Sequence, residues 1–480
     1  MQTQNFFAGE WHDAKEKITS INPSDTKDVI GHFARAESSH TQQALDAAQQ
    51  AQPIWAACGL EQKQNALHAI GEELMRRADE LGELLSREEG KPRAEGVGEV
   101  FRAGQFFTYY AAATLRQIGD NADSVRPDID IDIRREPVGV VAVISPWNFP
   151  LAAACWKIAP ALAFGNAVVW KPSPLTPTIA AAFADIVARQ NLPHGVFNLL
   201  MGGDDTGQEL VQSPAVDAIS FTGSLAAGRL IAAAAARHLT KLQMEMGSKN
   251  PLVVMDDADM ETAVRCAAAG AYGGSGQKCT ASSRLIVHRR VLDEFIAQLT
   301  AATAALRVGH ALAENTQIGP AVSAEQLQAN LSYLKLAHDE GARLVVGGEP
   351  LSLATDGYYL SPALFVDSDN TMRINREEMF APIACVIAVD SYEEALTLAN
   401  DTEYGLVSGI ITRSLARATH FRRHSKSGCV MVNLPTAGTD YHVPFGGRKN
   451  SSYGTREQGT YAREFYTVVK TAYTFAGTPT

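Results

Sequence analysis

The sequence predicts an α/β protein built from two sets of parallel strands wrapped by helices, with a smaller all-β element. Three observations carry this. The 480 residues exceed a single ordinary core, so two or three domains are expected. From residue 138 onward, short β-branched runs alternate with helical stretches, the pattern of strand–helix–strand units. Those runs are apolar throughout, as strands are when both faces of their sheet are covered.

The elements follow in order. SHTQQALDAAQQAQPIW and EQKQNALHAIGEELMRRADELGELLSREEGKP repeat apolar residues at three- and four-residue steps, so the N-terminal part reads as helices. The second stretch reads as one helix stopping at Gly90, with Pro92 close behind. AEGVGEVFRAGQFFTYYAAATL extends the helical part. GDNADSVRPDIDIDIRREP then alternates apolar and acidic residues, an exposed strand pair. Strands VGVVAVISPW, NAVVWKP, GVFNLLMG and VDAISFTG follow, with helices LAAACWKIAPALAFG and TIAAAFADIVARQ among them. A second set opens near Asn250 with PLVVMD, SRLIVHRR, RLVVGG, PIACVIAVD, GLVSGIIT and CVMVNL, and helices VLDEFIAQLTAATAAL and YEEALTLAN. The end, EFYTVVKTAYTF, alternates again. Two such edge strands, far apart in sequence, suit subunit pairing.

Composition narrows the function. Hydrophobic residues at 46% and charged residues at 20% are ordinary for a soluble globular chain. A net charge of −11 argues against nucleic acid or an anionic membrane as partner, and an anionic substrate would need a local cation. No basic segment followed by an apolar one opens the chain, so no secretory signal is expected. No run reaches membrane-spanning length. The six cysteines are scattered without CxxC or paired His/Cys spacing, which disfavours a metal site and a disulfide framework and fits a reducing cytoplasm.

GGSGQKCTASSR, Gly273 to Arg284, sets one cysteine between small flexible and small polar residues. Its glycines, Gly273, Gly274 and Gly276, allow close backbone approach. Cys279 is then either a buried filler or a nucleophile, and the residues alone leave both open. Other segments stand beside it: SPWNFP (Ser145–Pro150), VVWKPSP, FTGS, QMEMGSKNP, EEMFAPI and VPFGGRKNS. Taken in this order over nearly all 480 residues, they strongly resemble the aldehyde dehydrogenase superfamily.

That resemblance implies a Rossmann-like cofactor domain (1–118 and 138–247), an α/β catalytic domain (248–447) and a small β oligomerisation domain (119–137 and 448–480). It implies Cys279 as nucleophile, Asn148 as donor to the developing oxyanion and Glu245 as general base, with Lys171 counted in the same set. Met244 and Met246 around Glu245 also suit a carboxyl of raised pKa. The cofactor implied is NAD or NADP, although no strict GxGxxG is present. Lys171 and Ser173 would face the adenosine ribose, and Phe221, Thr222, Gly223 and Ser224 would open a helix by the pyrophosphate. Ser145, Pro146, Trp147, Met246, Glu378 and Phe380 complete the expected cofactor set. Two departures from the family pattern stand out. Ser248 replaces a commoner glycine, and Pro174 replaces the glutamate that often repels a 2′-phosphate, so NADP is permitted beside NAD.

GQKCTASSR and VPFGGRKNSSYGTREQGTYAREFYT resemble most the α-ketoglutaric semialdehyde dehydrogenases. A small carboxylated aldehyde is therefore the expected substrate, with succinate semialdehyde the alternative. Many succinate-semialdehyde members carry an arginine where this chain has Trp156. Arg102, with Gln105 near the same helix face, is the expected carboxylate anchor, although a surface arginine reads similarly. Phe149, Trp156, Lys278, Thr280 and Phe445 form the remaining expected pocket, and Lys278 is a second candidate cation. No metal is expected, and a homodimer or homotetramer is. A silent binding protein on the same fold, an esterase and a coenzyme-A-dependent dehydrogenase are the rival classes.

Overall fold

A computed structural model describes residues 2–116 and 118–477. Residue 1 and residues 478–480, at the ends of the expected first and third units, lie outside the described residues. The first sheet has eight strands, in the order Ser452–Gly454, Lys241–Glu245, Ala218–Thr222, Val140–Ile144, Ala167–Lys171, Phe197–Leu199, Asn5–Phe7 and Glu10–His12. The five from Lys241–Glu245 to Phe197–Leu199 are mutually parallel, and the outer strands pair antiparallel. Val140–Ile144 and Ala167–Lys171 are buried at every residue, which is why their sequences show no polar alternation.

Chain order reverses at Val140–Ile144, with Ala167–Lys171 on one side and Ala218–Thr222 on the other. Such a reversal opens a crevice outside the carboxyl ends of the strands. Those ends are Ile144, Lys171, Thr222 and Glu245, so four motif segments converge there by topology alone.

The second sheet runs Arg343–Val346, Ala363–Ser368, Ile383–Val389, Arg284–His288, Pro251–Val254, Val407–Ile411 and Cys429–Val432, all parallel except the first. A third, antiparallel sheet joins Thr467–Phe475, Ile129–Pro137 and Asp120–Asp123. Thr467–Phe475 is an outer strand, exposed at every residue after Thr467. Among the described residues, no helix is long and apolar enough to cross a membrane.

The structure differs from the sequence reading in particular places. The expected single helix ending at Gly90 is two, Leu60–Arg76 and Ala78–Glu89. Arg77 leaves helical geometry between them, and its guanidinium binds Glu73 and Glu80 on either side. Gly90 does close the second helix, at φ 98°, a left-handed cap that favours glycine. Strands Asn5–Phe7, Glu10–His12, Lys17–Asn22 and Asp25–Ala34 precede the first helix, in a stretch where the sequence analysis names no element. Two of them are three residues long, too short to display a period. Helix Ala324–Asp339, also absent from the reading, buries only Asn330 and Ala337, so no apolar stripe announces it.

Candidate active site

Cys279 lies in the loop between helix Met260–Tyr272 and strand Arg284–His288. The loop begins with Gly274, Ser275 and Gly276 at φ 60°, 56° and 67°, left-handed backbone that glycine adopts freely. A side chain at Gly276 would also collide with the Ala381 carbonyl. Asn250 anchors the other end, its amide donating to the carbonyls of Cys279 (2.7 Å) and Ala281 (2.9 Å). Ser248, the departure noted above, donates to Asn250 Oδ1 at 2.6 Å. Serine fits where a glycine is commoner because the position has no positive φ, and its hydroxyl braces the asparagine that braces the cysteine.

Two cavities meet at Cys279. The first, about 250 Å³, is lined by Pro146, Trp147, Asn148, Glu245, Glu378 and Phe380 among others. Thr222, Gly223, Ser224 and Met246 also line it. The second, about 340 Å³, takes in Arg102, Lys278 and Thr280. Phe149, Trp156, Cys279 and Phe445 belong to both. Among the described residues, Cys279 is the one cysteine lining either cavity.

Around the thiol the electrostatics are set by burial. Burial pushes the Cys279 thiol up, and the charges of Glu378 and Glu245 push the same way. Glu245 ends its strand in register with Thr222 on one side and Ser452 on the other. Its Oε2 accepts the Ser452 hydroxyl at 2.5 Å, while Oε1 is buried with no hydrogen-bond partner among the described residues. Burial, and then the charge of Glu457, holds its carboxyl well above the usual range, as expected of two buried carboxylates that share a region. Glu457 is itself ion-paired with buried Lys157. Asn148 donates through Nδ2 to the Gln277 carbonyl at 2.9 Å, and its second amide hydrogen has no acceptor among the described residues. Glu378 accepts from the Ser248 amide at 2.8 Å, and burial raises its carboxyl to about 7. Phe380 stands edge-on to Trp147, centroids 5.4 Å apart.

A third cavity, about 320 Å³, is lined by Lys171 and Phe221 with helix residues Gly207, Gln208, Ala227 and Ile231. Burial lowers the Lys171 amine to about 8, and Nζ donates to the carbonyls of Pro172 (2.9 Å) and Gly202 (3.1 Å). Between this cavity and the first lies the Phe221–Ser224 turn. Ser224 caps helix Leu225–Ala235 through Ala227 N, and Thr222 Oγ1 is buried with no partner among the described residues. A capped helix N-terminus beside an orphaned hydroxyl fits a phosphate-bearing ligand.

The structure places several expected residues away from the thiol. Lys171 lines the third cavity, and Cys279 does not. Lys278 lines the second cavity but is paired with Glu95 at 3.0 Å, so its charge is already answered. Gln105 lines none of the three cavities. The cavity-facing stripe of its helix runs through Glu95, Glu99, Arg102 and Phe106, and Gln105 falls beside it. Ser145 and Ser173 are also absent from the linings. Their hydroxyls accept from the Trp170 indole (2.9 Å) and the Leu175 amide (3.2 Å). Arg102 does reach the second cavity. Among the described residues no carboxylate pairs with it, and its guanidinium lies 5.3 Å from the centre of the Tyr441 ring. Trp156, in place of an arginine, packs against Phe106 and Phe445.

Sequence reasoning missed Ser452, Gln277, Gln326 and Glu457. Ser452 is 207 positions from Glu245 and reaches it only through strand pairing. Gln326, on the helix without an apolar stripe, lines the first cavity and donates to the Phe380 carbonyl at 3.3 Å. Gln277 alone carried a local signal, lying two positions before the cysteine.

Known proteins resemble this chain over nearly its whole length. The chain is 38% identical over 474 residues to an alpha-ketoglutaric semialdehyde dehydrogenase of Bacillus subtilis, covering 98% of this chain and 97% of the relative. It is 39% identical to an alpha-ketoglutarate semialdehyde dehydrogenase of Haloferax volcanii, covering 98% of each. A betaine aldehyde dehydrogenase of Staphylococcus aureus, solved in complex with NAD+, superposes with a TM-score of 0.96 at 32% identity, over 99% of this chain and 96% of that one. Residues 11–472 match the aldehyde dehydrogenase family. With a single thiol at the meeting point of two cavities and relatives matched from end to end, the chain belongs to the aldehyde dehydrogenase family.

Proposed function

We propose that this aldehyde dehydrogenase oxidises α-ketoglutaric semialdehyde (2,5-dioxopentanoate) to 2-oxoglutarate with NAD or NADP, a step of sugar-acid catabolism. The observation that carries the chemistry is the position of Cys279, where the cavity of Glu378 and Phe380 joins the cavity of Arg102. The third cavity and the Phe221–Ser224 turn would hold the adenosine and pyrophosphate, with the nicotinamide in the first cavity by Trp147, Glu378 and Phe380. Bound there, the nicotinamide supplies the hydride acceptor.

The chain's own residues do the rest. The Cys279 thiol gives its proton to solvent, the thiolate adds to the aldehyde carbon, and the carbonyl oxygen becomes an oxyanion. The second amide hydrogen of Asn148 and the Cys279 backbone N–H meet that charge. Loss of hydride turns the adduct into a thioester on Cys279. Glu245, held by Ser452, takes a proton from water as the water attacks the thioester, and the acid and thiol are released. Asn148→Ala should slow the hydride step about 10²–10³-fold, read as the burst of reduced nicotinamide, with little change in the rate at which iodoacetamide alkylates Cys279.

Two observations support an acidic substrate: the names of the two relatives at 38% and 39% identity, and the uncompensated Arg102. A trimethylammonium aldehyde would bring a positive head to that guanidinium, which disfavours the betaine aldehyde reading raised by another relative at 38% identity. We expect 2,5-dioxopentanoate to give the highest kcat/KM in a panel with succinate semialdehyde, betaine aldehyde and propanal, each with NAD and NADP. A clear preference for betaine aldehyde or propanal would overturn the substrate. Arg102→Ala should lower kcat/KM for the acidic aldehydes about 10–100-fold, the worth of a charge-assisted hydrogen bond, and leave propanal nearly unchanged. Equal losses on both would remove Arg102 as anchor.

The same reading keeps residues 1–118 and 138–247 as the cofactor unit, 248–447 as the catalytic unit, and 119–137 with 448–480 as the pairing unit of a homodimer or homotetramer. Supporting the last is the exposed edge of Thr467–Phe475, unpaired among the described residues, a ready template for another chain.

A further inference from the structure

We propose that Lys91 and Glu99 are positioning residues: together they fix the loop that aims the Asn148 amide at the substrate oxygen. Lys91 follows the Gly90 cap, and Glu99 lies on helix Arg93–Ala113. Their side chains are 4% and 1% exposed, and Nζ donates to Glu99 Oε2 at 2.6 Å. The same ammonium donates at 2.6 Å to the backbone carbonyl of Asn148 and lies 4.3 Å from the centre of the Phe149 ring. The other oxygen of Glu99 accepts the amides of Leu151 (3.0 Å) and Ala152 (3.1 Å). One buried ion pair therefore grips the loop at Asn148 and again at the start of the following helix.

The far end of Asn148 is held independently. Its amide donates to the Gln277 carbonyl, and the Gln277 side chain is fixed by the Val322 amide (3.0 Å) and the Pro320 carbonyl (3.3 Å). Main chain and side chain of the oxyanion donor are thus clamped from opposite walls, one clamp two residues from Cys279. A buried ion pair is not needed for stability, since apolar residues of the same volume often serve as well. What it adds here is directed hydrogen bonding to one carbonyl and two amides of a single loop. Glu99 borders the substrate cavity, yet both its oxygens are occupied, so it acts through the loop and not on the substrate.

The inference rests on the thioester reading above, and the test separates the two. Lys91→Met, Glu99→Gln and the doubly substituted enzyme would be compared with the wild type, each saturated with cofactor. Three readouts are needed: the burst rate of reduced nicotinamide, KM, and the rate of Cys279 alkylation by iodoacetamide, followed by peptide mass spectrometry. Alkylation needs the sulfur but develops no oxyanion. The expected result is a burst slowed about 10²-fold, the scale of a donor misplaced by an ångström. KM should stay within about 3-fold and alkylation within about 2-fold, because binding groups and sulfur are untouched. Buried Glu89 lies 3.8 Å from the same ammonium and loses its cation in both Lys91 variants, so Glu99→Gln, which keeps that pair, carries the test if they fail to fold.

A folded variant with a burst within about 3-fold of wild type overturns the inference, since a lost positioning contact must appear in the transition state. So does alkylation that falls in step with the burst, which would mean that the whole site has collapsed. Failure of all three variants to fold would make the pair a folding requirement and overturn it as well. A wild-type enzyme with no burst and no adduct on Cys279 would instead defeat the thioester reading.

Discussion

Cys279→Ala should stop cofactor reduction altogether, with kcat down about 10⁴-fold or more, the scale on which enzymes lose activity when a covalent nucleophile is deleted. The position lines two cavities and packs beside Leu406, Val407 and Phe445, so alanine removes the sulfur with little disturbance to the fold. Cofactor affinity, measured by protein fluorescence, should therefore survive while turnover vanishes. Because burial and the nearby carboxylates push the thiol upward, the wild-type burst rate should increase with pH as more thiolate forms. Near-normal turnover in the alanine variant would mean that the carbonyl is attacked by something else. Mass spectrometry of the wild-type enzyme quenched with substrate and cofactor should find the acyl group on the Cys279 peptide.

Glu245→Gln should separate the two halves of the reaction. The first hydride transfer needs the sulfur and the oxyanion donors, so a burst of about one equivalent per site should persist. Hydrolysis needs a base, and steady turnover should fall about 10²–10⁴-fold. The pH dependence has a definite sign. Burial and Glu457 raise the carboxyl, so at low pH it is protonated and cannot accept a proton. Turnover should climb with pH through a value well above the ordinary carboxylate range, and this limb should flatten in the glutamine variant. Loss of the burst along with turnover would assign Glu245 to the activation of Cys279.

The parallel strands were legible because covered sheets demand largely apolar runs, and Val140–Ile144 and Arg284–His288 are buried at every residue. The site was legible where its residues sit inside local motifs: Asn148 after a strand, Glu245 at a strand end, Cys279 behind three left-handed residues. Sequence reading failed where position depends on distant pairing. Ser452 reaches Glu245 only because Ser452–Gly454 adds to the sheet edge. Lys278 looked like a free cation because nothing local announces Glu95 as its partner. Ser145 and Ser173 sit in motif segments, yet their hydroxyls turn to Trp170 Nε1 and the Leu175 amide, choices that only packing decides.

The strand Ser452–Gly454 does more than supply one hydroxyl. It closes the side of Lys241–Glu245 that would otherwise be a bare row of amides and carbonyls, and the chain beyond it is stitched to the same strand, with Lys241 Nζ on the carbonyls of Glu464 and Thr467 and Gln243 on Arg456 O. A chain truncated before residue 452 would uncover a sticky β-edge beside its own hydrolytic base, so clumping and loss of deacylation should arrive together.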